Sequence, residues 1–151
     1  MERSEQQGPP GGIAPHLLIR DRRANEAIDF YTRAFGAREL HKVPSDDGRI
    51  MHCHLVVNGG SLMLNDDFPE YRGGAPAQAP DGVTLHLQVE DADGLWQQAV
   101  AAGAEVTMTL EDQFWGDRYG VLQDPFGHQW SMGQPVREVS IEEIHEAVNQ
   151  H

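Results

Sequence analysis

Cysteine is nearly missing from this chain of 151 residues: Cys53 stands alone, so no intrachain disulfide forms and the fold must rest on its core. A reducing, cytoplasmic compartment suits such a chain. The thiol lies in an apolar run, where packing is its ordinary role, because a reactive thiol needs exposure and an electropositive neighbour. Basic residues are scarce as well. Eleven lysines and arginines stand against 24 aspartates and glutamates, a formal charge of −13. That field repels a phosphate backbone and removes nucleic acid from the expected partners. Solubility accounts for the acidity; attraction of a cationic small molecule is the sharper reading. No apolar run approaches the roughly 20 residues that span a bilayer, so no membrane partner is expected. Residues 1–12 have no apolar core and read as a flexible polar leader, not a secretory signal.

What is present is punctuated periodicity. Ile13 to Arg20 reads as a strand. A helix follows, with Asp21 as the expected N-cap and Ala24, Ala27, Ile28, Tyr31, Ala34 and Phe35 at the i, i+3, i+4, i+7 spacing of one buried face. Gly36 ends it. Three strand-like runs come next, 37–43, 49–57 and 61–65, with Asp47-Gly48 and Asn58-Gly59 as hairpin turns. Residues 66–81 are rich in Pro, Gly and Ala without a period and read as a linker or mobile loop.

Then the pattern repeats. Val83 to Val89 is a strand, Asp91 caps a helix burying Ala92, Leu95, Trp96, Ala99 and Ala102, and Gly103 closes it. Gly36-Ala-Arg and Gly103-Ala-Glu lead out of the two helices in the same way, and Arg49 and Arg118 open comparable strands. A repeat of about 67 to 69 residues with matching strand, helix and turn signals implies duplication of a βαβββ unit. The expected class is therefore α+β: a leader 1–12, a domain 13–133 made of module 1 (13–65), the linker 66–81 and module 2 (82–133), and a tail 134–151. That tail carries a capping box, Ser140 with Glu143, before a short helix with Ile141, Ile144 and Val148 on one face.

Side chains alternate along a strand. With Leu85, Leu87 and Val89 under the second helix, Thr84, His86 and Gln88 point the other way. With Met51, Cys53, Leu55 and Val57 packed, His52 and His54 share the opposite face. Leu17 and Ile19 pack in the first strand, leaving His16, Leu18 and Arg20; Trp130 and Met132 pack in the last, leaving Gln129 and Ser131. His41, His128, His145 and His151 sit at strand ends or in the tail and are given no role. Trp115, Arg118 and Tyr119 precede the strand beside this face, and an aromatic platform near a guanidinium suits flat or anionic ligands. Asp124-Pro-Phe-Gly127 is a tight turn.

The run from Ala27 to Ala37 (Ala-Ile-Asp-Phe-Tyr-Thr-Arg-Ala-Phe-Gly-Ala), with Trp115-Gly-Asp-Arg-Tyr-Gly120 and Asp124-Pro-Phe-Gly-His-Gln-Trp130, resembles the PhnB-like branch of the vicinal oxygen chelate superfamily of glyoxalase and bleomycin-resistance proteins. The resemblance covers about residues 13 to 133. It implies two βαβββ modules forming an open cup-shaped sheet with helices on the outer face, a homodimer, and a ligand in the cup. Metal-dependent members carry His or Glu on the first, fourth, fifth and eighth strands. By position these fall at His16, near Met63 or Asn65, at Thr84 with His86 one step along, and at Ser131. A serine hydroxyl is a poor ligand for a divalent cation, so no cofactor is expected, and His16 and His86 are the metal candidates that remain.

The resulting expectation is a dimeric protein that binds a small molecule by sequestration, through His52, His54, His86, Trp115, Arg118 and Tyr119. The alternative is a metal-dependent lyase, isomerase or dioxygenase with a nonstandard histidine site.

Overall fold

Alternating burial begins at Leu17 and Ile19, both inaccessible, in the first strand of the structure, a computed structural model in which residues 8–150 are described. Most of the leader, residues 1–7, and His151 lie outside the described residues. The described residues up to Pro80 and those from Asp81 onward form two compact units. The first runs β1 (His16–Ile19), α1 (Ala24–Phe35), β2 (Arg38–Pro44), β3 (Ile50–Val57) and β4 (Gly60–Asp66). Its open four-stranded sheet has the order β1-β4-β3-β2, with β1 parallel to β4 and the other pairs antiparallel.

The apolar face of α1 is buried as its spacing predicts, and Phe30 is buried with it. Gly36 ends the helix at φ 70°, a left-handed conformation that costs glycine little. The start of α1 differs from expectation. Asp21 and Arg22 both adopt positive φ, the N-cap position is Arg23, and it offers no side-chain cap. The cap comes instead from Asp66, whose Oδ1 accepts from Ala24 N at 2.9 Å while Oδ2 accepts from Ile50 N at 2.7 Å. A neighbouring side chain was displaced by one 42 residues away.

Cys53, Leu55, Leu62 and Leu64 form the helix-facing side of this sheet. Burial pushes the Cys53 thiol up to about 12, with the Glu39 charge adding to it. Met51 departs from the expected pattern: 48% exposed, it is not packed. Between β3 and β4 the turn residues Asn58 and Gly59 both have positive φ, the requirement of the two-residue hairpin their sequence signals. The stretch after β4 is tied down. Arg49 bonds both Glu70 oxygens, at 3.0 and 2.6 Å, and lies 4.1 Å over the Phe68 ring. Asp67 pairs with Arg72 and accepts from Ala77 N.

The second unit repeats the order: β5 (Thr84–Gln88), α2 (Ala92–Ala102), β6 (Glu105–Asp112), β7 (Asp117–Gln123) and β8 (Gln129–Pro135), followed by α3 (Ile141–Asn149). Its sheet is β5-β8-β7-β6, the same plan, and neither sheet closes into a barrel. Asp91 caps α2 as expected, accepting from Gly94 N. The duplication extends to the cap from the last strand: Gln134 Oε1 on β8 accepts from Ala92 N at 2.9 Å, across the same 42 residues that separate Asp66 from Ala24. The α2 face is less covered than its spacing suggests. Ala92 and Ala99 are buried, whereas Leu95, Trp96, Ala102 and Leu85 are half-buried. Trp96 lies on Gly120 of β7, where a Cβ would come within 2.6 Å of the indole. In the tight turn, Asp124 accepts from Phe126 N, His128 N and Trp130 Nε1, which fixes the entry to β8. Ser140 caps α3 by accepting from Glu143 N, and Ile141 and Val148 on that helix are exposed.

Candidate functional site

Trp96 on Gly120 shows which side of β7 faces α2, so Tyr119 and Val121 face away from the helix. On that opposite face His86 of β5 is held at both ring nitrogens. Nδ1 lies 2.7 Å from Ser131 Oγ and Nε2 lies 2.7 Å from Gln88 Oε1. A carboxamide oxygen only accepts, so Nε2 donates to Gln88, and Nδ1 pairs with the Ser131 hydroxyl. Gly133 makes this possible. It sits opposite Gln88 in the β5–β8 register, and a Cβ there would meet Gln88 Oε1 at 2.8 Å and His86 Cε1 at 2.8 Å.

Three rings then form a ladder. Tyr119 stacks on His86 at 5.9 Å and 23°, and Trp115 meets Tyr119 edge-on at 5.6 Å. Tyr119 and Trp115 are half-buried and His86 is exposed, so the ladder offers accessible aromatic surface held in place by its own contacts.

Arg118 is not part of it. Its guanidinium donates to Asp93 on α2 through Nε and Nη2, at 2.9 to 3.2 Å, and to Asp112 on β6 at 3.1 Å. These bonds, Asp93 first, raise its already high pKa. One residue from Tyr119 on the strand, Arg118 necessarily projects to the other side of the sheet, where two carboxylates neutralise it. Sequence proximity to the aromatic residues placed it in the expected site; strand parity takes it out.

The remaining expected site residues, His52 and His54, lie in the first unit on the sheet face turned from α1. They have company there. The His52 ring is 6.2 Å from that of His16 on β1 and 6.0 Å from that of His41 on β2. Burial holds His52 below the ordinary imidazole pKa, and the neighbouring His16, His41 and His54 add to the effect. His54 is buried, with Nε2 3.0 Å from Ser61 Oγ. His16 Nε2 is 2.5 Å from Asn65 Oδ1, and the Asn65 amide nitrogen donates to Asp66 O. His41 was missed because a bulge between Glu39 and His41 reverses the parity of β2: Glu39 pairs with Leu55 on the helix side, yet His41 pairs with His54 on the other.

The profile of the Glyoxalase/Bleomycin resistance protein/Dioxygenase superfamily matches residues 13–132. The chain belongs to this superfamily. An uncharacterized protein of Mycobacterium tuberculosis is 51% identical over 142 residues, which are 91% of this chain and 82% of the relative. Protein PA1353 of Pseudomonas aeruginosa, a solved structure, matches with a TM-score of 0.67 at 26% identity, covering 83% of this chain and 98% of the other. A PhnB protein from Bacillus cereus shares the fold, with a TM-score of 0.64 at 20% identity over 82% and 99% of the two chains.

Divalent metal is common in this superfamily, and the donor set here does not fit one as arranged. Of the positions that the resemblance implies, His16 is bonded to Asn65, His86 has both nitrogens engaged, and Ser131 spends its hydroxyl on His86. Among the described residues no three His, Cys, Asp or Glu side chains are grouped to hold an ion. Serine and threonine replace the carboxylate and imidazole that a metal would need.

Proposed function

We propose that this superfamily member, of the PhnB-like branch, binds an organic small molecule without chemical turnover, by sequestration. The carrying observation is the Trp115–Tyr119–His86 ladder, whose inner ring is fixed by Ser131 and Gln88 over Gly133. A partly exposed aromatic stack with preset geometry loses little freedom when a flat guest lies on it, and such contacts contribute beyond their buried area. His86 presents no free nitrogen for metal ligation, which favours binding over the lyase, isomerase or dioxygenase alternative. The Asp124-Pro-Phe-Gly127 and Trp115-to-Gly120 motifs support the branch assignment.

A cytoplasmic homodimer completes the proposal. No helix among the described residues is long and apolar enough to cross a membrane. Val106 and Met108 are exposed apolar side chains on opposite faces of the edge strand β6, and Val100 is exposed on α2; symmetric pairing along that edge would cover the strand. Light scattering is expected to give twice the chain mass.

The test is a screen of small molecules by NMR, following the Trp115 indole and His86 ring signals, with dialysed protein assayed in parallel for bound metal. Hits that move both signals, stoichiometrically and without product formation, are expected, and metal well below one equivalent. Substrate turnover, or hits that bind equally well to Trp115→Ala and His86→Ala, would reject this reading.

A further inference from the structure

Beyond β8 the chain stays on the second unit, where residues 136–139 run over the turn between β6 and β7 that carries Trp115. Val136 N and Arg137 N both donate to Gly116 O, at 2.9 and 3.1 Å, one step past Asp117 and Pro135, the last pair of the β7–β8 register. The Arg137 guanidinium reaches the same turn, donating from Nη2 to Phe114 O at 3.2 Å. Gly116 is buried beneath this segment at φ 102°. A Cβ there would meet Arg137 O at 2.5 Å and Val139 Cγ2 at 3.0 Å, so the close seat of the tail depends on glycine.

The turn has one soft element. Gly116 N donates to Gln113 O at 3.1 Å, which closes a β-turn over residues 113–116 with Phe114 and Trp115 at its centre. The central peptide of such a turn lies outside the closing bond, and its rotation distinguishes one turn type from another. A full flip would drive Trp115 to positive φ, which a bulky side chain disfavours; among the described residues the non-glycine positions there are Asp21, Arg22 and Asn58. Short of a flip, a tilt of this peptide swings the Cα–Cβ bond of Trp115, and Arg137 holds its carbonyl. Phe114, whose ring meets Trp115 edge-on at 5.1 Å, moves with the same peptide. The tail thus grips the turn by the carbonyls of the two residues that flank Trp115.

We propose that Arg137 is a positioning residue for the aromatic ladder: with Val136 and Val139 it forms a strap that sets Trp115 against Tyr119 and so fixes the surface offered to a flat guest. The inference rests on the small-molecule reading above and adds the element that tunes that surface. The inner rungs are placed by the sheet. Ser131 and Gln88 hold His86, and Tyr119 stacks on it from β7. Trp115 lies outside the β6–β7 register, whose last pair is Asp112 with Arg118, so its placement falls to the turn and to the strap over it. A ring held before the guest arrives loses less freedom on binding, which raises affinity without any new contact.

The experiment compares full-length wild type, Arg137→Ala and Arg137→Lys by NMR of labelled tryptophan, tyrosine and histidine rings. Arg137 is exposed, so neither substitution opens the core. In Arg137→Ala the Trp115 indole signal is expected to move and its cross-relaxation with the Tyr119 ring to weaken. Arg137→Lys, whose ammonium still donates to Phe114 O, is expected to restore both. The Tyr119–His86 contact and the indoles of Trp96 and Trp130, the latter bonded to Asp124, are expected to stay as they are. Caffeine, a flat neutral heterocycle, then serves as the binding probe. Its affinity is expected to fall roughly three- to tenfold in Arg137→Ala, the loss of one hydrogen bond, and to recover in Arg137→Lys. An unmoved Trp115 signal overturns the inference, as does equal caffeine affinity in wild type and Arg137→Ala. Movement of the Trp96 and Trp130 indoles along with Trp115, with a lower urea midpoint, also overturns it, because the tail would then only stabilise the unit. If caffeine does not bind wild type saturably, the ladder fails as a surface for flat guests and the binding role of Arg137 falls with it. The ligand-free indole signals tell that failure from failure of the strap.

Discussion

The carboxylate of Asp66 joins the start of α1 to the start of β3, taking the amide of Ala24 on one oxygen and that of Ile50 on the other. It is 1% exposed, so neither amide has water as a substitute. Asp66→Ala leaves two buried donors orphaned, each worth about 1–3 kcal/mol. A loss of roughly 2–5 kcal/mol is expected in urea unfolding followed by far-UV circular dichroism. A loss below about 0.5 kcal/mol, the range of surface substitutions, would show that the helix start is capped some other way. Gln134→Ala, which removes the corresponding but neutral cap of α2, is expected to cost less, about 0.5–2 kcal/mol.

Gly133 matters for the site more than for stability. An alanine methyl would enter the space of the His86 ring and Gln88 Oε1, both side-chain atoms at 2.8 Å. Side chains on an open face move aside at a cost of about 1–3 kcal/mol or less. Gly133→Ala is therefore expected to fold but to shift the His86 ring signals and weaken stacking with Tyr119. An unchanged His86 spectrum would mean that the ring is not seated over this glycine.

His52 gives the protein an acid sensitivity of known sign. Burial, with the nearby His16, His41 and His54, lowers its pKa in the folded state, so the fold favours the neutral ring. Below the unfolded value of about 6.5 the unfolded chain takes up the proton first, and stability falls with pH until the lower folded pKa is passed. Unfolding midpoints in urea are expected to drop between about pH 7 and the folded pKa, and His52→Gln to show a smaller drop. If the variant loses as much as wild type over that window, His52 is not the group responsible.

Much of the fold was legible before any coordinates. Apolar residues at helical spacing put Ala27, Tyr31 and Phe35 under the sheet, Gly36 and Asn58-Gly59 marked the chain reversals, and the spacing of the two Gly-Ala junctions revealed the duplication. These are local signals: they depend on backbone conformations and periods that a few consecutive residues impose on themselves. The same alternation also put His52, His54 and His86 on the sheet faces turned from the helices.

Tertiary structure decided the rest. The cap of α1 came from Asp66 and not Asp21, because a capping bond needs only an oxygen at the right place, and a carboxylate 42 residues away on β4 occupies it. Arg118 went to Asp93 and Asp112 because strand parity turned it from Tyr119 toward α2. His41 joined His52 through a bulge of one residue, which no composition or period announces and which reverses every side chain beyond it. The partners of His86 likewise follow from strand register. Sequence alone determined which segments become strands and helices; register and packing, which act between segments far apart in the chain, decided which polar groups meet.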